Sequence, residues 1–337
     1  MSTEARIHRL HELQPGQSGD CFVLLASKDR GQTRDGKPFY RVGFRDRVRT
    51  ATVMVWKDSA WFAECESRWQ VGGFFKIRCQ FQESTYGPQL DLDRIRAVQD
   101  ADREQGFNPL EFAETSRFDS DVLFAELQQI VAGQVADPQI RQLLDAILIR
   151  YEQPLKQHAA AARNHHAVVG GFIEHVVSMT RTCLYLAEKY SELYPELTPP
   201  LSKSLVIAGA ILHDIGKLQE LETTAAGTGY TAAGRLIGHL FLGRDLLREE
   251  AARIPDFSPE SLLRLEHVIV SHHNLPEFGS PIPPSTPEAL IVHAADELDA
   301  KFDMLARALT SATGDDEFTS TDNPLRRRLF RGLGPRA

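Results

Sequence analysis

Cysteine is scarce in this 337-residue chain: four residues, Cys21, Cys65, Cys79 and Cys183, with no CxxC pair among them. That spacing excludes a disulfide framework and a zinc-thiolate site, and leaves the four as expected small buried hydrophobes. No apolar run approaches the roughly 18 to 20 residues needed to span a bilayer. The amino terminus, Met1 to Gly16, lacks an apolar stretch of signal-peptide length, so a cytoplasmic location without membrane attachment is the expectation. No internal repeat is visible. What remains, 42% hydrophobic and 25% charged, is the composition of a globular protein long enough for two domains.

The formal charge of -8 is unevenly spread. Residues 1–99 carry 16 Lys+Arg against 12 Asp+Glu, a net of +4, which leaves -12 for the remainder. An acidic body behind a mildly basic front is compatible with a polyanionic partner gripped by the front. The patterning divides at the same place. Period-two runs at 21–27, 39–44, 50–56, 74–81 and 89–98, with a helical stretch at 61–70 after the third, give five strands and one helix. This is the element order of an OB-fold, a small barrel that commonly binds oligonucleotides. Residues 100–120 lose periodicity and read as a linker. Residues 121–315 then read as an all-α helical bundle, with helices expected at 121–132, 138–151, 168–190, 203–213, 235–253, 259–272 and 287–309. The tail, 316–337, is basic through Arg326, Arg327 and Arg328 and is expected to be frayed.

The chemistry lies in the helical part. Ser204 to Leu212 is apolar on all sides until it meets His213 and Asp214, so a buried helix delivers an imidazole and a carboxylate to the interior. Unpaired, such groups cost several kcal/mol to bury, and a metal ion removes that difficulty. His175 shares an apolar helical face with Phe172, Val176, Met179 and Cys183, and His239 sits within Leu236 to Leu242. His272 and His273 close one apolar helix, and Asp296 follows Leu290 to Ala295 on another. Any one of these histidines is more often a hydrogen-bonded core imidazole than a ligand, but the joint pattern is a rare accident. Nitrogen and oxygen donors without thiolate suit manganese, iron, cobalt, magnesium or non-structural zinc.

The order His175, His213-Asp214, Asp296 resembles the HD superfamily of metal phosphohydrolases. The phrases Asn164-His-His-Ala, Gly170-Gly-Phe-Ile-Glu-His175, Leu212-His-Asp-Ile-Gly-Lys217, Tyr230-Thr, Leu236-Ile-Gly-His239, Ser271-His-His-Asn-Leu-Pro-Glu-Phe-Gly-Ser-Pro281 and Asp296-Glu-Leu-Asp-Ala-Lys301 are similar to YhaM-type 3′ to 5′ exoribonucleases. That family also places an OB-fold before its HD domain. The resemblance implies His175, His213, Asp214 and Asp296 as ligands of one ion. It makes Asp214 the bridge to a second ion, held by His239, His272 and His273, and gives Lys217 a charge-stabilising role at the reacting phosphate. It also implies two divalent ions per chain, Mn²⁺ foremost, and single-stranded RNA or DNA as substrate. If one ion binds, the three further histidines become supporting or substrate groups.

Lys28, Arg34, Lys37 and Phe39 on the barrel, and Asn164, His165 and His166 before the His175 helix, are the expected nucleic-acid contacts. Phe22, Tyr40, Phe44, Phe75 and Tyr86 are further stacking candidates, and Lys76 and Arg78 further phosphate candidates. About half of the rings belong in the barrel core. Self-association is left open. Two other classes compete: a cyclic dinucleotide phosphodiesterase of the HD-GYP kind or a dNTP phosphohydrolase, and a nucleic-acid-binding adaptor with an idle HD domain. The chain lacks the Gly-Tyr-Pro phrase of the HD-GYP group after His273.

Overall fold

A computed structural model describes residues 7–33, 35–85, 87–112, 115–161, 168–224, 227–312 and 316–333. Two compact units divide the chain. The first comprises residues 1–114 with the short stretch 224–227, and the second comprises 115–223 and 228–337.

In the first unit, β1 (Ile7–His8) runs beside β2 (Ser18–Gln32), followed by β3 (Pro38–Arg45), β4 (Thr50–Trp56), α1 (Phe62–Arg68), β5 (Phe74–Ser84) and β6 (Gly87–Ala97). The strand order β1-β2-β3-β4-β6-β5 closes on itself because β2 also pairs with β5, from Ser18↔Gln80 to Leu24↔Phe74. Strand β4 meets β6 in parallel at Thr52↔Gln89. A five-strand barrel so connected, with a helix after its third strand, is an OB-fold. β2 can serve both neighbours because a register shift between Leu25 and Ser27 bends it. Alternate residues turn inward, so Val23, Leu25, Val42, Phe44, Phe75, Ile77 and Phe81 fill the barrel around Trp69. Each such fully buried side chain contributes about 1.5–3 kcal/mol of transfer free energy.

The expected strands and helix are all present: β2, β3 and β5 run further than expected, β4 has the expected bounds, β6 begins and ends slightly earlier, and α1 is shorter at both ends. The stretch after the barrel differs from a free linker. It forms 3₁₀ turns at Asp100–Gln105 and Pro109–Phe112, and the rings of Phe107 and Phe112 pack on Phe74 at 5.2 and 5.4 Å. Two apolar anchors in a segment without periodicity suffice to hold it on the barrel.

The second unit is helical: α2 (Ser120–Gln134), α3 (Pro138–Gln157), α4 (Gly171–Leu193), α5 (Lys203–Leu212), α6 (Lys217–Glu220), α7 (Ala232–Leu236), α8 (His239–Ala251), α9 (Pro259–Ser271) and α10 (Pro287–Thr310). A small hairpin, β7 (Leu221–Thr224) and β8 (Gly227–Tyr230), interrupts them. Helix starts are set by side-chain caps: Asp119, Asp137, Ser202, Thr231, Ser258 and Thr286 each accept a backbone N–H of the first turn. α5 is the axis of this unit, with every residue from Ser204 to Leu212 buried beneath α4, α9 and α10.

Three expectations are corrected. α3 runs past Tyr151 to Gln157, bent at Tyr151 (φ -108, ψ 16), because the ring of Pro154 cannot coexist with a straight helix at the carbonyl four residues earlier. The helix expected at 235–253 is two, broken at Gly238 (φ 79, ψ 155), which leaves Leu236 and Ile237 exposed and puts His239 on the first turn of α8. The tail is ordered over 316–333: Phe318 bridges Phe330, and Thr319 and Leu329 are buried.

Candidate metal centre

Five segments of the second unit converge on one point. α4 supplies His175, the end of α5 supplies His213 and Asp214, α8 supplies His239, the end of α9 supplies His272 and His273, and α10 supplies Asp296. His175, His213 and His272 are fully buried and Asp214 is 2% exposed, whereas Asp296 and His239 retain 15% side-chain exposure and form the open side.

The donors fall into two groups. In the first, His175 Nε2 lies 3.3 Å from His213 Nε2 and 3.4 Å from Asp296 Oδ1, and Asp214 Oδ2 is 3.3 Å from His213 Nε2. In the second, His239 Nε2 and His273 Nε2 are 3.1 Å apart. Asp214 Oδ1 lies 3.5 Å from His239 Nε2 and 3.6 Å from His272 Nε2. Among the described residues, Asp214 is the donor that reaches both groups, one oxygen to each.

These separations fit cations. Ligand bonds of about 2.0–2.2 Å place neighbouring donors roughly 3.0–3.5 Å apart around a tetrahedral or octahedral ion. Asp214 Oδ1 and His272 Nε2 are buried without a hydrogen-bond partner among the described residues. Stranding such atoms costs about 1–3 kcal/mol or more each, and coordination by an ion removes that cost. The residues present therefore fit the divalent ions expected of them.

The imidazoles are aimed from behind. His213 Nδ1 lies 2.9 Å from the Ala210 carbonyl and His272 Nδ1 lies 2.8 Å from that of Ile269, so each donates backwards and presents Nε2 forwards. His175 Nδ1 instead faces Asp299 Oδ2 at 2.8 Å, and Ser178 donates to the other oxygen of Asp299. His239 Nδ1 faces Glu220 Oε1 at 3.0 Å, and the same oxygen accepts the His239 backbone N–H. His293 donates to the His272 carbonyl at 2.7 Å, and Ser280 accepts the His273 N–H. Sequence reasoning passed over Asp299, Glu220 and His293. The first two follow at i+3 from a ligand or from Lys217 on a helix, a signal available only once the helices are phased.

Close packing brings these parts together. A Cβ on Gly216 would stand 2.0 Å from the His239 carbonyl oxygen and 2.5 Å from the Gly243 nitrogen, and one on Gly234 would stand 2.2 Å from the Glu220 carbonyl oxygen. Glycine at 216 thus lets α6 touch α8, which carries Lys217 and Glu220 to the ligands.

The electrostatics follow from burial and partners. Burial opposes a charge on His175, but Asp296 and Asp299 outweigh it and push the imidazole up to about 10. His273 is driven down to about 2, first by burial and then by the neighbouring His272; burial also lowers His272. Burial resists ionisation of Asp214, yet Lys217 and His213 hold its carboxyl far below the usual carboxylate range, and His175 does the same for Asp296. Lys217 Nζ, 2.6 Å from Asp214 Oδ2, is held up by that carboxylate against its own desolvation.

All seven expected ligands and Lys217 thus meet at one place. Asn164, His165 and His166 lie outside the described residues, as do Arg34 and Tyr86. On the barrel, Phe22, Tyr40, Phe44 and Phe75 are core residues. The Lys28 ammonium donates to the Glu66 and Trp69 carbonyls at 3.2 and 3.0 Å and so caps the end of α1. Lys76 reaches Gln105, and Arg78 reaches Asp20 and Asp93. Lys37 is exposed, and Phe39 packs 5.2 Å from Trp56, itself 45% exposed. Trp56 was missed because it ends a strand that reads as core.

A family model described as HD domain matches residues 172–301. The 3′-5′ exoribonuclease YhaM of Bacillus subtilis (strain 168) is 33% identical over 304 residues, 89% of this chain and 90% of that protein. The protein of the same name from Geobacillus sp. (strain WCH70) is 33% identical over 315 residues, 94% and 92% of the two chains. The chain belongs to the YhaM family. The relative from Listeria monocytogenes serotype 4b (strain CLIP80459) agrees, at 32% identity over 306 residues, 89% of this chain and 91% of that one. A domain of replication protein A from Methanococcus maripaludis overlays with a TM-score of 0.23 at 12% identity, over 28% of this chain and 96% of that one. That overlap is too small to argue from, and the OB-fold of this YhaM-family chain rests on its own strand order. No helix among the described residues is long and apolar enough to cross a membrane.

Proposed function

We infer that this chain is a metal-dependent exoribonuclease that shortens single-stranded RNA from the 3′ end by hydrolysis. The observation that carries the chemistry is Asp214, buried at the junction of two donor groups with Oδ1 lacking any hydrogen-bond partner among the described residues. His175, His213, Asp214 and Asp296 would hold one divalent ion, and Asp214, His239, His272 and His273 a second, with manganese the first choice. Such ions, when bound, bind phosphate oxygens and lower the pKa of water toward neutrality.

The chain's own residues supply the rest. Asp299 and Glu220 fix the rings of His175 and His239. Lys217, buried beside Asp214, keeps a fixed positive charge where the phosphorane oxygens gain negative charge, and in a site sheltered from water that charge counts for more than in solution. The buried shell of His213, His272 and α5 keeps bulk water to the open side at Asp296 and His239. On the barrel, Phe39 and Trp56 offer stacking faces that tolerate any base, and Lys37 offers a phosphate contact, which suits a strand guide. The family membership and this donor set favour nuclease activity over an idle domain or cyclic dinucleotide turnover.

Incubating 5′-labelled single-stranded RNA with the full chain and Mn²⁺ tests this. A ladder shortening from the 3′ end is the expected result. Protection without cleavage would point to an adaptor, and turnover of a cyclic dinucleotide alone would point to the rival chemistry.

A further inference from the structure

Past α10 the chain makes a closed loop. Phe318 and Phe330 face each other across an antiparallel bridge with rings 5.4 Å apart. The Thr319 N–H donates to the Leu329 carbonyl at 2.9 Å, and the Arg331 N–H to the Glu317 carbonyl at 2.7 Å. Thr319 and Leu329 turn inward and are buried, so Phe318 and Phe330 turn outward, at 44% and 53% exposure. Arg331 ties the foot of the loop to the Ala312 and Asp316 carbonyls at 2.9 and 3.2 Å. At the tip, Asn323 Nδ2 donates to the Ser320 and Arg327 carbonyls at 2.7 and 2.8 Å. Arg326 sits in the left-handed region (φ 51), where its N–H donates to the Asn323 carbonyl at 2.9 Å.

This loop displays Arg326, Arg327 and Arg328. All three are exposed, and among the described residues none of their guanidinium groups has a hydrogen bond, ion pair or ring contact. The exposed arginines of the helices differ: Arg150 meets Glu250, Arg181 meets Glu126 and Arg253 meets Glu249. Three adjacent like charges repel one another, and here no carboxylate of an acidic chain relieves them.

We propose that the loop 318–330 is a second contact for single-stranded RNA, in which Arg326, Arg327 and Arg328 hold backbone phosphates and Phe318 and Phe330 stack the bases beside them. The proposal rests on the nuclease reading and adds an anchor upstream of the cleaved end.

Chemistry selects the ligand. A guanidinium fork matches two phosphate oxygens at once, so three in a row call for a polyanion. The half-exposed rings beside them add stacking faces that accept any base. A membrane surface fits less well, because three charges need a second anchor there, and the described part of this segment holds neither an amphipathic helix nor any other apolar face that could enter a bilayer in plane. The backbone is already tied at foot and tip, so little of it has to be ordered on binding.

Position selects the part of the strand. α10 carries Asp296 of the donor set and runs on to Thr310, about 21 Å further along its axis. A strand whose 3′ end lies at the metal donors reaches the loop only several nucleotides back, and a dinucleotide is too short to touch both.

The test uses the full chain with Mn²⁺ and a cleavage-resistant, 5′-fluorescent 2′-O-methyl phosphorothioate oligouridylate, with binding followed by anisotropy over a range of salt. Arg326→Gln, Arg327→Gln and Arg328→Gln together should weaken binding about tenfold or more and flatten the slope of log K against log salt by about 2. Arg326→Lys, Arg327→Lys and Arg328→Lys together should keep the slope, since an ammonium also neutralises phosphate. Phe318→Leu with Phe330→Leu, which keeps the clasp apolar, should weaken binding about tenfold with the slope unchanged. In degradation, the glutamine variant should raise KM for long oligouridylate and leave KM for diuridylate as in wild type. An unchanged slope in the glutamine variant, or a lysine variant that falls with it, would overturn the phosphate contacts. Equal losses on long and dinucleotide substrates would overturn the upstream placement. Sedimentation with phosphatidylserine vesicles that the glutamine variant loses, at unchanged RNA binding, would give the loop to a membrane and overturn the proposal. If no RNA is shortened with Mn²⁺ the nuclease reading fails, and the anisotropy slopes still decide the loop on their own.

Discussion

Asp299 Oδ2 and His175 Nδ1 are 2.8 Å apart, which couples a carboxylate outside the donor set to a fully buried ligand. Glu220 likewise holds His239, a ligand on the open side, at 3.0 Å. One orienting carboxylate therefore serves each half of the centre, and the two halves can be weakened separately. Loss of such an orienter costs about 10–100-fold in metal affinity. Asp299→Ala is expected to weaken one Mn²⁺ site by that factor and Glu220→Ala the other, read by Mn²⁺ titration with electron paramagnetic resonance. If each variant weakens both sites alike, the halves are not independent.

Gly216 is the tightest point of the assembly. Its absent Cβ would meet backbone atoms of His239 and Gly243 at 2.0 and 2.5 Å, and backbone cannot rotate away as a side chain can. Gly216→Ala should cost about 1–3 kcal/mol or more in stability, by denaturant titration, and should lower Mn²⁺ occupancy because α8 is forced off α6. A stable variant with two ions bound would show that the contact yields more easily than the structure implies.

Much of this centre was legible in the sequence because buried helices advertise themselves. The run from Ser204 to Leu212 has no polar face, so His213 and Asp214 had nowhere to point but inward. His239 was found for an incomplete reason: the apolar run around it is not one helix. Gly238 breaks it, and Leu236 and Ile237 face solvent. The orienters were illegible because Asp299 and Glu220 look like ordinary helical surface acids until the contacts of α10 and α6 are known. On the barrel the pattern of alternation gave strands but not function. A Lys at 28 reads as a phosphate contact, and only the geometry shows its ammonium capping α1.

The strand-guide role turns on Phe39 and Trp56, with rings 5.2 Å apart on neighbouring strands β3 and β4. Stacking contributes about 1–3 kcal/mol per base. Replacing both by alanine should raise KM for a long RNA roughly tenfold or more while leaving cleavage of a small phosphodiester such as bis(p-nitrophenyl) phosphate within about twofold. Equal losses on both substrates would assign the pair to folding rather than to the strand.

Asp214→Asn tests the bridge. An amide offers one neutral oxygen where two charged ones stand, so at most one donor group keeps its share. Several kcal/mol of transition-state stabilisation depend on the ions, which predicts a loss in kcat of roughly 10³-fold or more. RNA binding measured by filter retention should stay near the wild-type value. Wild-type turnover in this variant would remove Asp214 from the chemistry.

The last expectation concerns pH and the barrel. Asp102, 2% exposed, accepts two hydrogen bonds from Arg96 at 2.7 and 2.6 Å and one from the Gln99 N–H at 2.8 Å. Arg96 foremost, with help from Gln99, holds its carboxyl down at about 2, against the burial that would raise it. A carboxyl lower in the folded than in the unfolded chain stabilises at pH values above its unfolded value near 3.8, and that contribution fades as pH falls toward 2. The shift corresponds to about 2 kcal/mol. Wild type should therefore exceed Asp102→Asn in stability by roughly that amount at pH 7 by urea titration, and the gap should close between pH 4 and pH 2. A gap that persists unchanged at pH 2 would mean that the ion pair is not its source, and that Asp102 acts through the shape of the turn it closes.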